Sequence, residues 1–305
     1  MAIVEVKGLK KHFGAKKVID DISFKVEENR VFGFLGPNGA GKTTTMKMLL
    51  GLSQPDEGSL TVCGEPVRYG ETKTNGYIGF LPDVPAFYSF MNAREYLQLC
   101  GEITGLKQAF IKQKSEELLT LIGLANESGK IGTYSRGMQQ RLGIAQALLN
   151  EPKLLICDEP TSALDPIGRK QILDILHEVK QKTTVIFSTH VLSDVERICD
   201  DIVVLHDGKI VIAGDLQTIK KQYQSDQLYI QFRTADDKNK FCTLPVIQIM
   251  LQNGTVRQEK MSLQFERTHS TEKIVLQALQ ESHVFPQKLA VVEQSLENIF
   301  MDVVK

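Results

Sequence analysis

The sequence predicts an α/β fold with a parallel-sheet core, followed by a small α+β domain of ferredoxin-like order. Three observations lead there. An apolar run, Val31 to Leu35, enters Gly36-Pro37-Asn38-Gly39-Ala40-Gly41-Lys42-Thr43-Thr44 and continues into a helix-compatible segment, Thr45 to Leu50. Beyond Pro152, strand-like and helix-like stretches alternate, which implies parallel strands covered on both faces. After about residue 227 the order becomes βαββαβ with an extra helix.

Taken in order, residues 1 to about 35 read as short strands: Ile3 to Val6, Val18 to Ile22, Phe24 to Val26 and the buried run Val31 to Leu35. Thr61 to Gly64 and Gly76 to Leu81 follow as strands bounded by glycine and proline. From about Asn92 to Asn150 the period is helical, as in Tyr96, Leu97 and Cys100, and the segment reads as a helical insert. Next come strand Leu154 to Cys157, helix Pro166 to Val179, strand Thr184 to Ser188, helix Ser193 to Cys199 and strand Ile202 to His206. Asp165 before Pro166 is a helix cap with an N1 proline, and Ser193-Asp194-Val195-Glu196 has the form of a capping box. The turn His206-Asp207-Gly208-Lys209 joins Ile202 to His206 and Ile210 to Ala213 as antiparallel strands. Ile219 to Gln227, rich in Lys and Gln, suits a linker. The last part reads as strand Leu228 to Phe232, helix Pro245 to Leu251, hairpin strands Val256 to Gln258 and Ser262 to Glu266, helix Glu272 to Gln280, strand Val284 to Val292 and a helix capped by Ser295.

At 305 residues, 42% hydrophobic and 24% charged, the chain is an ordinary globular one with room for a large and a small domain. A net charge of -1 leaves no basic footprint, which argues against nucleic acid as the main partner. No apolar run approaches the roughly 18 residues that cross a bilayer. The alternating start, Met1 to Lys7, lacks the layout of a signal peptide, so the chain is expected in the cytosol. The 5 cysteines are scattered without a C-x-x-C pair, so neither a disulfide framework nor a zinc site is expected.

The chemistry starts in the glycine loop. Its backbone can curl so that successive N–H groups face a phosphate, the helix start adds partial positive charge, and Lys42 adds a full one. Thr43 follows as a hydroxyl for Mg²⁺. A second apolar strand, Leu154-Leu155-Ile156-Cys157-Asp158-Glu159, ends in two carboxylates: Asp158 for the metal and Glu159 to polarise an attacking water.

With these motifs in this order, residues 1 to 220 resemble the nucleotide-binding subunit of an ATP-binding cassette transporter. The resemblance implies an antiparallel β subdomain and a helical subdomain at about 88–150 within the cassette, with 221–305 as a small accessory domain. It places the family's signature motif at Tyr134-Ser135-Arg136-Gly137-Met138-Gln139-Gln140-Arg141, where Tyr134, Arg136 and Met138 depart from the usual Leu, Gly and Gln. In the family this segment meets the γ-phosphate bound by the opposite subunit. That implies a head-to-tail dimer in which Ser135, Gly137 and Asp165 of one copy complete the other's site. Ser162 to Asp165 match the loop along the dimer seam, and His190 matches the histidine that contacts the γ-phosphate and holds Glu159 and water in place. Phe13, with Val18 beside it, matches the aromatic that stacks on adenine. Asp83 stands where the family has a glutamine as Mg²⁺ ligand and γ-phosphate sensor; an aspartate can ligate the metal but is shorter and anionic.

The aromatic stretch that follows, through Met91, corresponds to the region receiving a membrane permease, so the chain is expected on the cytoplasmic face of the membrane. The ending Ser295 to Phe300 is similar to the tail of single-cassette bacterial exporters of the multidrug and peptide-antibiotic type, which implies export of a drug, peptide or lipid-like cargo. A soluble cassette ATPase acting on ribosomes or nucleic acid remains the alternative. A kinase or GTPase would need an acceptor site or a guanine-reading motif, and neither is present.

Overall fold

The protein is described from a computed structural model covering residues 2–222, 227–254, 256–292 and 296–304. It divides into two compact units, Met1–Gln217 and Thr218–Val303.

In the first unit, β1 (Ala2–Phe13) and β2 (Lys16–Glu27) form a long antiparallel hairpin. The short strands expected from sequence are pieces of these two, because bulges at Val6/Leu9 and Lys11/His12 break the apolar alternation without ending the pairing. β3 (Val31–Leu35), buried at every position, leads into the glycine loop and α1 (Lys42–Leu49). β4 (Glu57–Val62) and the two-residue β5 (Glu65–Pro66) complete a four-stranded sheet in the order β2-β1-β4-β5. Gly76 and Tyr77, expected in a strand, lie in a 3-10 turn, and β6 spans only Ile78–Leu81. Three helices follow: α2 (Ala93–Ile103), capped by Asn92 and Glu95, α3 (Gln108–Leu121) and α4 (Arg136–Leu148).

The chain then alternates through β7 (Leu154–Asp158), α5 (Pro166–Val179), β8 (Thr184–Thr189), α6 (Leu192–Ile198), β9 (Asp201–His206) and β10 (Lys209–Asp215). These build a six-stranded sheet, β10-β9-β3-β8-β7-β6, parallel except for the β9–β10 hairpin. β3, β7 and β8 are buried throughout, as central strands covered on both faces must be. Their ends therefore deliver the glycine loop, Asp158 and Thr189 to one edge of the sheet. Asp165 does cap α5, accepting from the Gly168 N–H at 3.1 Å. Ser193 does not cap α6: the helix starts behind Val191, and Asp194 turns inward, where its buried carboxylate accepts the Thr161 hydroxyl at 2.7 Å. With Val191 at the N-cap position, α6 has no side-chain cap, and Ser193 and Glu196 lie inside the helix.

Part of the expected linker is helix: α7 spans Leu216–Gln222, residues 223–226 lie outside the described residues, and Gln227 opens β11 (Gln227–Gln231). The second unit continues with α8 (Ala235–Cys242), too polar to read as a helix in sequence, then α9 (Pro245–Gln252), β12 (Val256–Gln258), β13 (Ser262–Glu266), α10 (His269–Glu281), β14 (Lys288–Val292) and α11 (Leu296–Val304). Val284, expected in the last strand, is buried ahead of β14, and the Ser295 cap lies outside the described residues. The antiparallel order β12-β13-β11-β14 is the ferredoxin-like arrangement, over a core containing Phe232, Phe241 and Phe265.

One close approach sets where α4 lies. A Cβ at Gly79 in β6 would fall 2.1 Å from the carbonyl oxygen of Ala147 in α4, so only glycine lets this helix seat on the sheet. Gly79→Ala should lower the stability of the chain by about 1–3 kcal/mol, read from the urea unfolding midpoint, because backbone must move to admit the methyl group.

Candidate active site

The glycine loop is a backbone device. Gly41 holds φ 107° at the start of α1, and a Cβ there would meet the Ile19 side chain at 2.3 Å and the Val18 carbonyl at 2.9 Å. That conformation turns the loop over Lys42, whose side chain is 6% exposed. Lys42 Nζ donates to the Gly36 carbonyl at 2.8 Å and lies 3.2 Å from Glu159 Oε1. A charge so buried needs such partners, since desolvating an isolated ammonium costs several kcal/mol.

The Asp158 carboxylate is shared. Oδ2 accepts the Thr43 hydroxyl at 2.8 Å and Oδ1 accepts the Ser188 hydroxyl at 2.6 Å. Ser188 also receives the Glu159 N–H, at 3.0 Å to Oγ and 3.2 Å to its carbonyl. Those bonds hold Glu159 at φ 48°, a left-handed conformation that costs a non-glycine residue energy and persists where its surroundings fix it. The turn aims Glu159 back over the loop, with Oε2 2.9 Å from His190 Nδ1. An ionised carboxylate only accepts, so Nδ1 carries the proton in that bond. Ser188 is the site residue that the sequence reading passed over; its place directly before Thr189-His190, at the end of a wholly buried strand, was the available signal.

Lys42, Thr43, Asp158 and Glu159 line a cavity of about 590 Å³ with Phe13, Val18, Asn38, Gly39, Gly41, Thr44 and Asp83. Gly36, Pro37 and Ala40, the remaining residues of the loop, do not line it. Ser135, Gly137 and Asp165 do not line this cavity. Ser135 is exposed and caps α4, its Oγ accepting the Met138 N–H at 3.3 Å, while Gly137 lies near Leu164. Asp83 is tied to α4: its Oδ1 is 3.4 Å from Arg136 Nη2, and its carbonyl accepts from Gln140 Nε2 at 2.6 Å. Beyond it, Val84, Tyr88 and Phe90 are exposed, whereas Phe87 packs edge-on against Tyr96 at 5.1 Å between centroids.

Thr43 and Asp158 present hard oxygen donors 2.8 Å apart. This fits Mg²⁺, which takes one or two protein oxygens and completes its shell with water and substrate phosphates. Among the described residues no group of three His, Cys, Asp or Glu could hold a metal by itself.

Comparison with known proteins agrees with this geometry. Residues 19–162 match the ABC transporter family, and residues 214–304 match the C-terminal domain of DrrA1-3-like ATP-binding proteins. Over 99% of its length the chain is 34% identical to the bacitracin transport ATP-binding protein BcrA of Bacillus licheniformis, covering 97% of that protein. The chain belongs to the ABC transporter ATP-binding family. It is also 32% identical to the linearmycin resistance ATP-binding protein LnrL of Bacillus subtilis, over 98% of this chain and 97% of that one. Its cassette superposes on a solved ATP-binding subunit of an ABC transporter with a TM-score of 0.65 at 33% identity, covering 72% of this chain and 93% of the other. The protein is thus the ATPase subunit of an ABC transporter, and such a subunit works with a permease. No helix among the described residues is long and apolar enough to cross a membrane.

Ser188→Ala leaves the buried Asp158 carboxylate one donor short. It should cost about 1–3 kcal/mol of stability by urea unfolding and slow ATP hydrolysis.

Proposed function

We propose that two copies of this ABC ATPase close head to tail around two Mg-ATP, and that closing and reopening drive a separate permease in exporting a drug, peptide or lipid-like cargo. The observation that carries this reading is the division of polar groups: Lys42, Thr43, Asp158 and Glu159 share one cavity, with His190 bonded to Glu159, while Ser135 and Asp165 stand exposed outside it. A phosphate-reading helix end with no role in its own cavity suits a second copy.

In this reading Phe13 stacks on adenine, with Val18 lining the same face. The N–H groups of Gly36 to Thr44 and the Lys42 ammonium stabilise the charge of the γ-phosphoryl group as it leaves. Thr43 and Asp158 hold Mg²⁺, with Asp83 as a further ligand if its carboxylate leaves Arg136. A metal held there would supply positive charge against the substrate phosphates. Glu159 takes the proton of the attacking water, and His190 keeps its carboxylate oriented. Ser135, Gly137 and Asp165 of the second copy close over the γ-phosphate, so ATP acts as part of the interface and hydrolysis releases it.

The exposed side chains of Val84, Tyr88 and Phe90 offer an apolar surface between Asp83 and Met91 for the permease, on the cytoplasmic face of the membrane. The cargo class is supported by full-length similarity to proteins named for bacitracin transport and linearmycin resistance. A net charge of -1 gives no electrostatic support to a ribosome or nucleic acid partner.

Glu159→Gln should bind ATP but accumulate as an ATP-bound dimer with little turnover, seen by light scattering and phosphate release; hydrolysis at the parent rate would remove Glu159 as the base. Chelation of Mg²⁺ should stop turnover in the parent chain, and returning Mg²⁺ should restore it.

A further inference from the structure

Phe13 ends β1 and is 56% exposed, but one side of its ring is occupied. The Lys11 ammonium stands 5.2 Å from the ring centroid, within the range of a cation–π contact. Lys11 is not a loose surface lysine: its side chain is only 14% exposed, and Nζ donates to Asp56 Oδ1 at 3.0 Å. Asp56 is itself fixed from β1. Its Oδ2 accepts the His12 N–H at 2.7 Å and lies 3.0 Å from His12 Nδ1, and its own N–H donates to the Lys10 carbonyl at 2.9 Å. The Lys11 ammonium, followed by the His12 N–H and ring, holds the Asp56 carboxyl down at about 2, so the anchor stays ionised. Phe13 lines the nucleotide cavity; Lys11 and Asp56 do not.

We infer that Lys11 is a positioning residue for the nucleotide base: clamped by Asp56 behind Phe13, its cation fixes the ring and strengthens stacking of adenine on the opposite face. The inference rests on the reading of Phe13 as the adenine platform. Two physical effects act together. An exposed aromatic ring at a strand end is otherwise free to change rotamer, and ordering it costs entropy when the base arrives. A cation on one face also draws electron density from the ring, lowering the face-to-face repulsion that an electron-rich purine meets. Lys11 thereby acts on the base through Phe13 and leaves the phosphates to the glycine loop.

Equilibrium binding of ATP and of inorganic tripolyphosphate, which lacks a base, tests this on the full-length chain. Lys11→Met should weaken ATP binding by about two- to fivefold and leave tripolyphosphate binding at the parent value, while Lys11→Arg, which keeps the cation, should retain ATP affinity. In a Phe13→Leu background, Lys11→Met should cost nothing further. Asp56→Asn, which keeps the lysine charged but loosens its anchor, should weaken ATP binding in the same direction and serves if Lys11→Met does not fold. An unchanged ATP affinity in Lys11→Met, an equal loss for tripolyphosphate, or a loss that persists in the Phe13→Leu background would each overturn the inference. Full ATP affinity in Phe13→Leu alone would instead overturn the adenine platform on which it rests.

Discussion

The buried ammonium of Lys42 is the charge around which the cassette is arranged. Lys42 is 6% exposed, so protein oxygens must replace most of the water around its charge. The glycine loop supplies carbonyls from Gly36 and Pro37, and the turn after β7 supplies Glu159 at 3.2 Å. That requirement fixes other features in turn. Gly41 must hold a left-handed backbone, and β7 must lie beside β8, so that Ser188 can hold the Glu159 N–H and the Asp158 carboxylate together. Asp158 then reaches back to Thr43 in the first turn of α1. The strained backbone of Glu159 is sustained because three elements meet on it.

Much of this was legible in the sequence where a local pattern and a function coincide. The Val31 to Leu35 and Leu154 to Cys157 strands each read correctly, the second ending one residue later at Asp158, because a strand buried on both faces is apolar at nearly every position. What escaped the sequence depends on contacts far along the chain. Ser188 is one more small residue in a buried strand until β7 places Asp158 beside it. Asp194 reads as part of a capping box, yet the Thr161 hydroxyl, 33 residues away, draws it inward. Lys11 and Asp56 are 45 residues apart and ordinary in composition; only the pairing of β1 with β4 and the loop before it brings them to Phe13. In β1 and β2, bulges disrupted the two-residue period, so a continuous hairpin read as fragments.

The cassette keeps its proposed functions apart in space. Groups that would act on phosphate sit at the ends of β3, β7 and β8, where the parallel sheet holds them rigidly. The groups that would report on phosphate, Asp83 and the first turn of α4, lie at the edge strand β6 and in the helical segment packed on it. Asp83 is joined to both, lining the cavity with its side chain near Arg136 and bonding α4 through its carbonyl. Movement of α4 would therefore be felt in the same loop that exposes Val84, Tyr88 and Phe90. If that loop is the proposed docking surface, the route from nucleotide to permease is short and does not pass through the core.

The central claim is that each working site is assembled from two copies. Mixing two disabled chains tests it most directly: Lys42→Ala, which lacks the loop cation, and Ser135→Arg, which blocks the helix end on the other face. In a mixed dimer one site would join the intact loop of the second chain to the intact Ser135 of the first, while the other site would lose both. ATP hydrolysis is therefore expected to be near zero for each chain alone and to recover when they are combined. A mixture as inactive as its components, or full hydrolysis by Ser135→Arg alone, would contradict the account.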